Sequence, residues 1–200
     1  MNAWGSLLPA TAVVAVLLFI ARETLEYFRR RGADKRKVSA LTHLLARECE
    51  LNYWAIKALR YIAIQIPTDE NPGEGMQVTI ERKPSGRSYA RIVSADGGTE
   101  SHHPVPRVHR ELMSKFLLDV ATIDRELFVV MEPAYDALSH LEHVRESFVN
   151  APEASDFIGQ DGYLEGLAGF ALDELLKAED KIGRLYRHCT GNELTKHRVR

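Results

Sequence analysis

The sequence predicts a mainly α-helical protein: a single N-terminal transmembrane helix followed by a cytoplasmic antiparallel helical bundle with an inserted β-hairpin. Three observations carry this reading. Trp4 to Ala21 is an apolar run without a charged side chain. Apolar residues recur at three- and four-residue steps in three later stretches, the mark of helices with one buried face. Two short alternating stretches, Met76–Arg82 and Ser88–Val93, flank a turn-forming cluster, which is the mark of a hairpin.

As a helix rising ~1.5 Å per residue, the first run spans about 27 Å, close to a hydrocarbon core of about 30 Å. A cleaved signal peptide fits less well. Residues 1–6 carry no basic side chain, and Ile20-Ala21-Arg22-Glu23 makes a poor cleavage site. A core helix of a folded domain would show one polar face, and this run shows none. Arg22, Arg29, Arg30, Arg31, Lys35, Arg36 and Lys37 follow at once, so the positive-inside bias places the N-terminus outside and the remainder in the cytoplasm. The expected division is a short extracytoplasmic end (1–3), a transmembrane helix (4–21), a basic juxtamembrane stalk (22–37), a cytoplasmic bundle (38–190) and a basic tail (191–200). This predicts a single-pass protein of the cell inner membrane, with membrane lipid as one partner.

The formal net charge of −2 argues against a general nucleic-acid binder. Cys49 and Cys189 stand far apart without a CxxC or a zinc-ligand spacing, which suits a reducing compartment.

Along the chain, Gly32-Ala33-Asp34 is the first expected break, and a helix is expected from Val38 to Ile66, stopped by Pro67 and the turn residues Thr68–Gly73. Glu48 and Asn52, spaced i, i+4, fall close to the apolar stripe of Leu41, Leu45, Ala55 and Leu59. A carboxylate on a packing face needs a partner, since burying it alone costs several kcal/mol. The pair reads as a flank position or an intrahelical network of Glu48 with Arg47 and the Asn52 amide, or else as a polar contact that sets helix register or forms a site. Val78, Ile80, Ala90 and Ile92 share one face of the hairpin expected at about 76–94. Arg82, Lys83, Arg87 and Arg91 make it basic, a solvated surface or a contact for an anionic partner.

Asp96–Gly98 and Ser101–Pro106 read as loop. A helix is expected from about Arg107, kinked or broken at Pro133, and ending at Asn150-Ala151-Pro152. A loop at 154–162 and a last helix from about Tyr163 to Cys189 follow, with Gly191 as its C-cap. His102, His103 and His109 lack a recognisable ligand spacing. His140, His143 and Glu146 share a helix face but have no second matching copy, so neither group predicts a metal. No catalytic residue, metal or cofactor is assigned.

The functional expectation is an interaction or sensor module that recruits a protein partner or self-assembles at the inner membrane. The alternatives are a membrane-acting oligomeric effector and an enzyme built around Glu48 and Asn52, with His43 or His140 and His143 brought in by folding.

Overall fold

A computed structural model describes residues 10–67, 76–94, 96–158 and 160–194. The chain forms two compact units, Met1–Leu41 and Thr42–Arg200. Its elements are α1 (Ala10–Gln65), β1 (Met76–Arg82), β2 (Ser88–Ser94), β3 (Glu100–Pro104), α2 (Glu111–Ile123), α3 (Arg125–Ile158) and α4 (Gln160–Thr190).

The described part of the first unit is the beginning of α1, and it overturns the membrane assignment. No helix among the described residues is long and apolar enough to cross a membrane. The reason is length. Trp4–Pro9 and the predicted extracytoplasmic end lie outside the described residues, and the part of the apolar run among the described residues is Ala10–Ala21. That run rises only about 18 Å before Arg22, Glu23 and Glu26 follow, against a core of about 30 Å. The transmembrane helix, the single-pass topology and the inner-membrane localisation are therefore corrected. The break expected at Gly32 is also absent. One glycine costs a helix about 1 kcal/mol, and its neighbours Arg29–Arg31 and Lys35–Lys37 favour helix. Arg30 adds an i, i+4 bond to Glu26 at 2.6 Å.

The second unit holds the core. From Thr42 onward α1 buries Leu45, Ile56, Leu59 and Ile62 completely, as the spacing predicts. On α3, Leu127, Met131, Leu138, Leu141, Val144 and Phe148 form the matching stripe, and α4 contributes Leu164, Leu175, Ile182 and Leu185. Helices α3 and α4 pack along each other, α2 packs on α3, and α3 also touches β1. Val78, Ile80, Ala90 and Ile92 are buried together on one face of the sheet. The basic tail from 195 and the turn at 68–75 lie outside the described residues.

Three further expectations fail for identifiable reasons. The hairpin is really a three-stranded antiparallel sheet in the order β1-β2-β3, with Ala90 opposite His103 and Ile92 opposite Ser101. Ser101-His102-His103-Pro104 has little strand character of its own, and β2 supplies the pairing. The β1–β2 turn closes through Gly86 at φ 75°, whose N–H donates to the Lys83 carbonyl at 2.8 Å.

Pro133 neither ends nor divides α3. It frees the carbonyl of Val129, a residue that is exposed, so the lost bond lies on the watered side. The interruption comes earlier, at Asp124. Its backbone is extended (φ −151°, ψ 97°), its N–H donates to the Val120 carbonyl, and its Oδ1 accepts the Leu127 N–H at 3.0 Å. One residue thus closes α2 and caps α3. At the other end, the helix predicted to stop at Pro152 runs on to Ile158, and α4 begins at Gln160, so the long loop expected there is absent.

Asp124→Ala is expected to lower stability by about 1 kcal/mol in urea unfolding, while Asp124→Asn keeps most of it. An unchanged midpoint for the alanine variant would show that the cap contributes nothing.

Candidate functional site

At the start of α2, Glu111 accepts the Arg110 N–H at 3.1 Å, but Arg110 at the N-cap makes no capping hydrogen bond, which leaves the Leu112 and Met113 N–H groups to a partner from elsewhere. The first four N–H groups of any helix lack partners within it. Glu48, on α1, meets two of them. Its Oε1 accepts the Leu112 N–H and its Oε2 the Met113 N–H, each at 2.9 Å. Glu48 is only 2% exposed, so the carboxylate caps α2 from another helix and from inside the core. The positive end of the α2 dipole also favours a negative group there.

Asn52, one turn further along α1, is fully buried and grips the chain just before α2. Its Oδ1 accepts the His109 N–H at 2.8 Å, while its Nδ2 donates to the His109 carbonyl and, at 2.9 Å, to the Glu48 carbonyl. An amide offers one acceptor and two donors, so both sides of the His109 backbone are read at once. The segment 105–110 is also held from α3. Arg145 donates through Nε to the Pro106 carbonyl at 2.9 Å, and Arg110 reaches Ser139 Oγ at 3.0 Å with its guanidinium over Tyr135.

Burial pushes the Glu48 carboxyl above its usual range. The Leu112 and Met113 N–H groups pull it down, nearby Glu111 pushes it up and His109 pulls it down, but desolvation is the largest effect. Chemically, the pair is saturated with main chain, and both side chains are committed to holding α2. A cavity of about 240 Å³ between the end of α1, β1 and the start of α4 is lined by Ile66, Val78 and Leu164, with Gln77 and Glu165. Glu48, Asn52 and the histidines do not line it.

The remaining candidates are dispersed. His43 is exposed on α1. His140 Nδ1 lies 3.2 Å from Glu174 on α4, which also holds Lys177 at 2.7 Å. His103 stacks against Tyr61 with ring centres 4.6 Å apart, and His102 lies 3.7 Å from Glu100. Among the described residues, no group of three or more His, Cys, Asp or Glu side chains is placed to hold a metal ion. Burial pushes the Cys49 thiol up and the Cys189 thiol to about 12, so both stay protonated at neutral pH and are poor nucleophiles.

On the sheet, Arg91 lies between Glu100 at 2.6 Å and Glu81 at 3.8 Å, and Lys83 sits 4.6 Å above the Tyr89 ring. Arg82 ends β1 and Arg87 stands exposed beside the turn. The hairpin's positive charge is thus partly answered within the sheet, by two acids that share the outward face of Arg91. Arg29, Arg30, Arg31, Lys35, Arg36 and Lys37 are all exposed along α1. The partners of Glu48 and Asn52 were hidden from sequence reasoning because they are backbone groups some sixty residues away. A weak clue existed: Val105 precedes a proline and is pushed toward extended backbone, so α2 could start only after it.

Because Glu48 titrates higher in the fold than in the unfolded chain, it contributes stability that is present below the ordinary carboxylate range and is lost as pH rises through its raised value. The stability of the native chain minus that of Glu48→Gln should therefore fall as pH rises above the ordinary carboxylate range. A difference that grows with pH would mean that the N–H contacts outweigh desolvation. Asn52→Ala leaves the His109 N–H and carbonyl without partners and is expected to cost about 2–4 kcal/mol in chemical unfolding; a loss below about 1 kcal/mol would show that the segment finds other partners.

No family model matches this chain, and neither the curated proteins nor the solved structures include one with significant similarity to it.

Proposed function

We propose that this protein is an interaction module that works by self-assembly, with the α1 segment from Val13 to Phe28 as its association surface. One observation carries the reading. Val13, Val14, Val16, Leu17, Leu18, Phe19, Ile20, Leu25, Tyr27 and Phe28 are all exposed, with Leu18 at 65% and Phe19 at 63%. Isolated exposed apolar residues are ordinary, whereas a contiguous surface of this kind marks an interaction site. Consecutive residues of a helix point in every direction, so a partner packed along one stripe leaves the others wet. Covering Val13–Ile20 calls for an assembly of at least three chains.

The enzyme reading draws no support from the geometry, because Glu48 and Asn52 are engaged with the backbone of His109, Leu112 and Met113.

Light scattering on the eluting full-length protein tests the proposal. The expected mass is at least three times the 22.6 kDa of one chain. Leu17→Glu combined with Phe19→Glu should reduce it to two chains or one. A wild-type mass of two chains or fewer, or an assembly that the double variant leaves intact, overturns the reading.

A further inference from the structure

The second unit carries a different uncovered surface, also on α1. Leu44, Trp54, Tyr61 and Ile64 are 46%, 49%, 45% and 44% exposed, although the opposite side of the same helix is fully buried. Leu44, Arg47, Leu51, Trp54, Ala58, Tyr61 and Gln65 follow one another by alternating steps of three and four. Such a stripe runs along one face of α1, where a second helix can lie against it, with Arg47 and Gln65 as its polar members. Leu51 and Ala58 along it are half-buried, and Arg47 and Lys57 are exposed. The four large side chains leave about 400 Å² open, roughly half of the ~800 Å² per partner of a standard interface. Arg47 and Lys57 extend the surface toward the remainder.

We propose that the α1 seam from Leu44 to Gln65 pairs antiparallel with the same seam of a second copy, a two-fold contact separate from the association surface at Val13–Phe28. The order of residues is what selects this occupant. Run antiparallel, the seam sets Leu44 against Tyr61 of the second copy, Arg47 against Ala58, and Leu51 against Trp54, and the two-fold axis repeats each layer. Every layer joins a larger with a smaller side chain, which is how facing positions interdigitate. The charges agree. Glu50, whose side chain is 12% exposed and bonded to Arg47 at 2.8 Å, presents only its edge to Lys57 of the second copy, and Lys57 lies beside its Glu50 in turn. A parallel pair would set Arg47 on Arg47 and Trp54 on Trp54, like charge on like charge and bulk on bulk. The contact is isologous, so it closes at two chains.

The test uses the full-length chain carrying Leu17→Glu and Phe19→Glu, which removes the other association surface, so the two proposals fail separately. Sedimentation velocity should give a mass of two chains, dissociating on dilution. Adding Trp54→Glu should weaken the dimer by at least about 30-fold, as loss of a central anchor does. Ala58→Arg, which replaces no buried side chain, should do the same by confronting Arg47. At a dilution where the parent has dissociated, far-ultraviolet circular dichroism and the melting temperature of Ala58→Arg should match those of the parent, which separates lost association from lost folding. Direction is read by oxidation: Leu44→Cys chains mixed with Tyr61→Cys chains should form a disulfide heterodimer, and Leu44→Cys alone should not. A monomer at about 100 µM, well above the micromolar range of ordinary interfaces, overturns the proposal. So does a dimer indifferent to Ala58→Arg, or preferential Leu44-to-Leu44 crosslinking.

Discussion

The backbone at the start of α2 presents N–H groups to the interior, and nothing in its own first turn reaches back to them. Glu48 supplies the missing acceptors from α1, with both carboxylate oxygens used and almost no exposure to water. Removing either side of this contact would leave a buried charge or buried donors, each costly in a medium that cannot solvate them. This carboxylate ties the start of α2 to α1. Asn52 fixes His109, and α3 holds the same segment through Arg145, which donates to the Pro106 carbonyl, and Ser139, which accepts from Arg110. A length of chain with no regular structure is thus held in place by side chains from two helices.

Around that polar contact the rest of the second unit is an ordinary apolar core, built from stripes on α1, α3 and α4 and one face of the sheet. The polar pair sits inside the α1 stripe rather than at its edge. A purely apolar stripe allows neighbouring helices to slide by a turn at little cost. A carboxylate that must find two particular N–H groups does not, so directionality comes from Glu48 while the free energy of burial comes from the leucines and isoleucines beside it.

Helix α1 differs in kind along its length. From Val13 to Phe28 its large apolar residues are exposed, and from Leu41 onward it has a buried face and an aromatic exposed one. The exposed side chains in both parts are those that folding of a single chain leaves unsatisfied. The Glu48 and Asn52 side chains, by contrast, are already engaged with the main chain.

Periodicity made the buried faces of the helices legible, because a 3.6-residue repeat and burial on one side are the same fact seen in two ways. Leu45, Leu59, Leu138 and Leu185 could be placed in the core from spacing alone. The oddity of Glu48 and Asn52 was legible too, since a carboxylate on a packing stripe is visible in one dimension. Its solution was not, because the partners are the main chain of residues 109–113, and every residue has the same main chain. Strand β3 was hidden for a similar reason: its pairing comes from β2 and hardly at all from its own side chains. The apolar run at the N-terminus was read as a membrane span from its lack of charge, yet the described helix carries too few such residues to reach across one. The sequence by itself determined which residues seek burial. Tertiary structure decided which of them found it, because cover for a side chain comes from groups distant along the chain.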